Sequence, residues 1–264
     1  MKQLLATYLI STVLLSACTN NDTPAEPPVT PVSTAKNISY SIITTYPHDT
    51  SSYTQGLIVY KDGLYEGTGL EGKSKLMKTD LKTGKALQKI DLDKQYFGEG
   101  VTILNDTVYQ LTWQNKKAFS YSLKDFKKIK EFTVNHDGWG LTNDGKNLVA
   151  SDGSSTIYFY NTSFELIKTI SVNDGGVPES NINELEFIDG YIYANKYQTP
   201  YIFKIDPSNG SIIGKIDLTD VWKRVQLIDP QADVPNGIAY DSTANKIYIT
   251  GKLWPELYEI QLSK

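Results

Sequence analysis

Short strand-like runs recur along this chain in pairs, and each pair is split by residues that favour a tight turn. Gly56 to Tyr60 leads through Asp62-Gly63 into Leu64 to Glu66. Gly100 to Leu104 leads through Asn105-Asp106 into Val108 to Leu111. Gly140 to Thr142, Leu185 to Ile188 and Gly237 to Tyr240 open three further pairs, which close on Leu148 to Ala150, Tyr191 to Ala194 and Lys246 to Ile249. Asp-Gly between apolar runs is a strong hairpin signal, because the turn needs positive φ angles. Two more strand-like runs usually follow a pair, as in Lys75 to Asp80 with Ala86 to Leu92, or Tyr201 to Asp206 with Ser211 to Leu218. Four antiparallel strands recurring about every forty residues predict propeller blades. Five units fit, so the chain reads as an all-β, five-bladed β-propeller, with one helical turn expected around Leu218 to Val225.

The fifth unit is short of an outer strand, while Ile38 to Ile43 belongs to no unit. An unpaired sheet edge is a liability. The N-terminal strand is therefore expected to complete the last blade and close the ring. A β-sandwich with coincidental spacing is the alternative.

Ahead of the repeat, Met1-Lys2 precedes a mostly apolar run from Leu4 to Leu15 and then Ser16-Ala17-Cys18. That order describes a secretory signal, and the apolar stretch is too short to span a bilayer. Leu15 to Cys18 also resembles the bacterial lipobox. Residues 1–17 are thus expected to be a lipoprotein signal peptide and Cys18 the lipidated residue. The product would be an exported, membrane-anchored bacterial lipoprotein facing the periplasm or the cell exterior. Residues 18–36, with Pro24, Pro27, Pro28 and Pro31 among Asn, Thr and Ser, read as a disordered tether. Residues 37–264 form the expected folded domain.

Composition narrows the chemistry. The chain holds 264 residues, enough for one large domain, and its net charge of -4 gives no footprint for nucleic acid. Cys18 is the sole cysteine, and His48 and His136 are the only histidines. An intrachain disulfide is impossible and a cysteine- or histidine-built metal site is not expected. No cofactor is expected, and a monomer is. Chemistry falls to carboxylates, amides, lysines and aromatic rings.

In a propeller the first strand of each blade lines the central channel, so the residue leading into it points at one mouth. The repeat places Gln55, Glu99, Trp139, Asn183 with Glu184, and Asn236 there. The turn after each second strand adds Trp113, Asp152, Tyr197, and Lys252 with Trp254. Positions made only for packing would be small or apolar, so this convergence predicts a ligand site. A carboxylate such as Glu99, buried beside rings, would titrate high enough to carry protons near neutrality. Other readings stand beside this one. Tyr53 and Phe97 suit packing, Asp152 suits a turn, Trp139 suits wall or core, and Glu184 or Glu186 suits a bridge between strands.

The residues so isolated resemble the motifs of the plant-and-bacterial glutaminyl-peptide cyclotransferase family. Tyr53-Thr54-Gln55-Gly56-Leu57 is similar to the family's F-T-Q-G-L, and Glu66-Gly67-Thr68-Gly69 with Gly72 and Ser74 to its E-S-T-G-x-x-G-x-S. Phe97 to Gly100, Gln110 to Trp113, Gly138 to Leu141, Ser151 to Ser154, Asn183 to Glu186, Ala194-Asn195, Asn236 to Tyr240 and Thr250 to Pro255 continue the series in order. Tyr53 replaces the family's usual Phe, and Tyr197 replaces its usual Trp.

The resemblance implies metal-independent cyclisation of N-terminal glutamine to pyroglutamate with release of ammonia, on N-terminal glutaminyl peptides or proteins. It implies Glu99 as general acid/base and Gln55, Trp113, Trp139, Asn183 and Lys252 as pocket residues; Tyr197, Asn236 and Trp254 join them as expected substrate contacts. Lys252, Asn183 or Gln55 could each donate to the oxyanion. Two rivals remain open at this point: a calcium-dependent, lactonase-like propeller hydrolase using Glu99, Asn183 and Asn236, and a non-catalytic surface module holding a peptide or sugar.

Overall fold

The computed structural model describes residues 33, 35–61 and 63–263. Five sheets of four or five strands make five blades. Their innermost strands are Thr54–Tyr60, Gly98–Leu104, Leu141–Asn143, Ile182–Ile188 and Pro235–Asp241. These pack side by side in a closed ring, the fifth against the first. The hairpin signals act as their chemistry requires: Asn105 and Asp106 take φ of 52° and 56°, Asp189 and Gly190 take 49° and 85°.

Ring closure follows the expected route. Tyr40–Pro47 pairs antiparallel with Glu256–Leu262, from Tyr40↔Leu262 to Pro47↔Glu256, and so supplies the outer strand of the fifth blade. Pairing also begins slightly earlier than composition indicated. Lys36–Asn37 runs parallel to Ile212–Asp217 through Lys36↔Gly214, and Ala35 packs on the core between the third and fourth blades. Composition assigns Lys36 to the tether, because backbone pairing draws on groups every residue carries and leaves no mark in side-chain composition. The signal segment, Cys18 and nearly all of the tether lie outside the described residues. The helix spans Thr219–Ile228, three residues further than expected, and buries Val221 and Val225 on one face.

Around the axis the strands approach too closely for side chains. A Cβ on Gly100 would sit 2.3 Å from the Leu141 nitrogen, and one on Gly140 would sit 2.1 Å from the Asn183 oxygen. The fourth blade breaks this glycine rule with Glu184. Its carboxylate crosses the axis to accept from Leu57 N (3.3 Å) and Ile238 N (2.9 Å). Glu186 accepts from Tyr240 N and Thr142 Oγ1, each at 2.9 Å. Both therefore bridge strands, where the sequence suggested that one might. Burial raises both carboxyls, Glu186 to about 8.

Candidate active site

A cavity of about 230 Å³ lies where the innermost strands begin. Its polar lining is Gln55, Glu99, Asn183 and Lys252; its apolar lining is Tyr53, Leu70, Phe97, Trp113, Trp139 and Tyr197. The polar groups arrive from different blades because each sits just before or just after a strand that reaches the same mouth.

Gln55 organises the floor. Its Oε1 accepts from Lys252 Nζ at 2.6 Å and from Asn236 Nδ2 at 3.2 Å. With the oxygen so occupied, its amide nitrogen must face Glu99, and it donates to Glu99 Oε1 at 3.1 Å. Burial pushes the Glu99 carboxyl well above the usual carboxylate range, opposed by the Lys252 charge. Burial lowers Lys252 to about 8, opposed by Glu99 and then Asp233. The Lys252 ammonium also lies 4.4 Å from the centre of the Tyr53 ring and 5.3 Å from that of Tyr197. These ring faces offset part of its lost hydration.

Asn183 is poised differently. It is 2 % exposed, and its Oδ1 has no hydrogen-bond partner among the described residues. A buried amide oxygen left unpaired costs about 1–3 kcal/mol.

The walls are built from ring pairs. Trp139 meets Tyr197 edge-on at 5.4 Å, and Phe97 meets Trp113 at 5.6 Å and Tyr53 at 6.3 Å. Trp139 rests on Gly153, whose φ of +81° and closeness leave no room: a Cβ there would lie 2.6 Å from Trp139 Cε2. Asp152 shapes that turn, accepting from Ser154 N (2.9 Å), Ser154 Oγ (2.6 Å) and Tyr158 OH (2.9 Å). It is a turn former and does not line the cavity. Gly153→Ala is expected to displace Trp139, raise KM several-fold with less change in kcat, and lower stability by about 1–3 kcal/mol. Steady-state kinetics with a thermal melt check both.

Seven of the nine site residues predicted from sequence line the cavity together: Glu99, Gln55, Trp113, Trp139, Asn183, Tyr197 and Lys252. Asn236 and Trp254 do not. Asn236 lies behind Gln55, which fills that sector, and donates to Thr54 O at 2.9 Å. Trp254 is fully buried, donates from Nε1 to Asp233 O at 2.8 Å, and packs on Gly251. Sequence reasoning missed three lining residues. Tyr53 and Phe97, read as packing, each stand just ahead of an innermost strand and two residues before a polar lining residue. Leu70, at φ 84°, left no signal.

Comparison with known proteins agrees with this architecture. A family model described as Glutamine cyclotransferase matches residues 9–262. The glutaminyl-peptide cyclotransferase of Arabidopsis thaliana is 39% identical over 232 residues, which is 84% of this chain and 71% of that protein. The crystal structure of Myxococcus xanthus glutaminyl cyclase superposes with a TM-score of 0.81 at 33% identity, covering 87% of this chain and 98% of that one. By sequence, by fold and by the order of its blades, the chain belongs to the glutamine cyclotransferase family.

Proposed function

We propose that this protein converts the N-terminal glutamine of peptides and proteins to pyroglutamate and releases ammonia, with Glu99 carrying the proton. One observation carries the reading: a buried carboxyl, aimed by Gln55 and faced by Lys252, stands in an aromatic-walled cavity. At about 230 Å³ the cavity falls below the ~300–1,000 Å³ typical of drug-sized ligands. It suits one terminal residue.

The α-amine of the substrate attacks its own γ-carboxamide carbon, so both reactants arrive in one molecule. Walls that hold the curled conformer supply much of the rate through orientation. As the carbon–nitrogen bond forms, Glu99 accepts a proton from the amine. As the old carbon–nitrogen bond breaks, it returns that proton to the leaving nitrogen, which departs as ammonia. The carboxyl is raised by burial, which suits a group that must both take and give. Of the three candidate donors to the oxyanion, Gln55 has one of its two amide N–H groups on Glu99, and the Asn183 amide nitrogen donates to no described residue. Lys252 keeps two of its three protons unused by Gln55, and its charge makes it the stronger donor.

A Gln-initiated peptide incubated with the protein should lose the mass of ammonia, unaffected by EDTA. Activity lost to EDTA and restored by calcium would favour the hydrolase reading. Peptide binding without ammonia release would favour the binding module. We also propose, from the Leu15 to Cys18 sequence, that the protein is exported and anchored through lipidated Cys18. Detergent-phase partitioning of the full chain, retained in Cys18→Ser, would overturn the anchor.

A further inference from the structure

Lys252 sits in a turn whose shape is imposed from outside. Leu253, the next residue, takes φ of 60°, a conformation that a leucine holds only where its surroundings over-determine it. Two hydrogen bonds hold the turn, and both lead back to one carboxylate on the first blade, which Thr54 reaches as well. Leu253 N donates to Ser52 O at 2.8 Å, and the Ser52 hydroxyl lies 3.4 Å from Glu66 Oε2. Trp254 O accepts from His48 Nδ1 at 2.8 Å, and His48 Nε2 meets Glu66 Oε1 at 3.2 Å. Thr54 Oγ1 donates to Glu66 Oε1 at 2.7 Å and lies 3.4 Å from Gly251 O.

Both His48 ring nitrogens thus face oxygens, a backbone carbonyl and the Glu66 carboxyl, an arrangement that the doubly protonated ring satisfies. Burial works against that charge, but the Glu66 carboxylate outweighs it and raises His48 above its ordinary value. Side chains of His48 and Glu66 are 5% and 2% exposed, and neither lines the cavity. A buried ion pair is weak support for stability by itself. Its placement at both ends of the Lys252 turn is what needs explaining.

We infer that Glu66, paired with His48, is a positioning residue that fixes the Gly251 to Trp254 turn, and with it Lys252, against Gln55 across the seam where the ring closes. The catalytic part of this inference rests on the cyclisation proposed above; the structural part does not. Loss of the hub leaves the seam hydrogen bonds of Tyr40–Pro47 in place, so the ring stays closed while the turn loosens.

The test compares Glu66→Gln and His48→Gln with wild type and with Glu259→Gln. Glu259 is likewise a buried ion-paired carboxylate, bound to Lys246 and Tyr46 on the outer side of the same closing blade. Two readouts are taken: steady-state kinetics, and titration of Lys252 by competitive amine labelling followed by peptide mass spectrometry. Lys252 is faced by Glu99, Asp233 and the Tyr53 and Tyr197 rings, all unchanged in these variants. In Glu66→Gln and His48→Gln, kcat should fall about 10- to 100-fold, the effect of a misplacement near 1 Å. KM should change far less, and the Lys252 titration should move up toward the ordinary lysine range as water enters. Glu259→Gln should lower the melting temperature and leave both readouts as in wild type. Variants that melt earlier but keep wild-type kcat and Lys252 titration would reduce Glu66 to a stability residue and overturn the inference. If wild type itself releases no ammonia, the cyclase reading fails, and the labelling titration alone still decides whether Glu66 positions Lys252.

Discussion

Glu99→Gln is expected to abolish ammonia release from a Gln-initiated peptide while leaving a propeller that is more stable than wild type at alkaline pH. The amide keeps the shape and can still pair with Gln55, but it cannot carry a proton between the amine and the leaving nitrogen. General acid–base groups contribute about 10²–10⁴-fold, and here one group does both transfers, so the loss should lie at or beyond the upper end. The stability gain follows from burial. A carboxyl whose folded-state pKa is raised holds its proton more tightly folded than unfolded. Stability therefore drains away as pH climbs from the unfolded value of about 4.3 through the folded one. Glutamine has no charge to bury and escapes that loss. Thermal melts at pH 6 and pH 9, alongside ammonia assays, separate the outcomes. Near wild-type turnover would remove Glu99 from the mechanism, and a collapsed melt would make the lost activity uninformative about chemistry.

Lys252→Met should reduce kcat/KM by about 10²–10³-fold, the usual consequence of deleting one oxyanion donor. Its pH profile should change in two ways. In wild type, kcat should rise as Glu99 ionises and fall again as Lys252 loses its proton. Removing Lys252 withdraws the charge that holds the Glu99 pKa down, so the acid limb moves to higher pH. The alkaline limb disappears, because no ammonium remains to be lost. Profiles of kcat report the bound complex and so keep the free peptide amine, which titrates near 8, out of the comparison. A variant that keeps the wild-type alkaline limb would assign that limb to another group.

These two residues also show how far sequence reasoning reached. Glu99 and Lys252 were placed at one mouth by the blade period alone, since a side chain's position in a propeller is set by its rank within the repeat. The same rank sent Asn236 and Trp254 to the mouth, and there it failed. Asn236 holds an equivalent position to Gln55, but the two compete for one sector of the floor; Gln55 occupies it and Asn236 supports it from behind. Trp254 follows Leu253 through a turn with positive φ, which throws the indole inward against Gly251.

The periodic pattern of strands and turns determined by itself the blade number and the family motifs, because each depends on residues close along the chain; the closing strand followed from the outer strand missing in the fifth unit. It could not decide which oxygen of the floor receives which donor, that Glu184 crosses the axis to two other blades, or that Glu66 reaches the Lys252 turn through His48, Ser52 and Thr54. Those contacts join residues up to about two hundred positions apart, brought together only when the ring closes. Hydrogen-bond direction and burial are properties of that closed ring, and the shifted protonation of Glu99 and Lys252 arises from them.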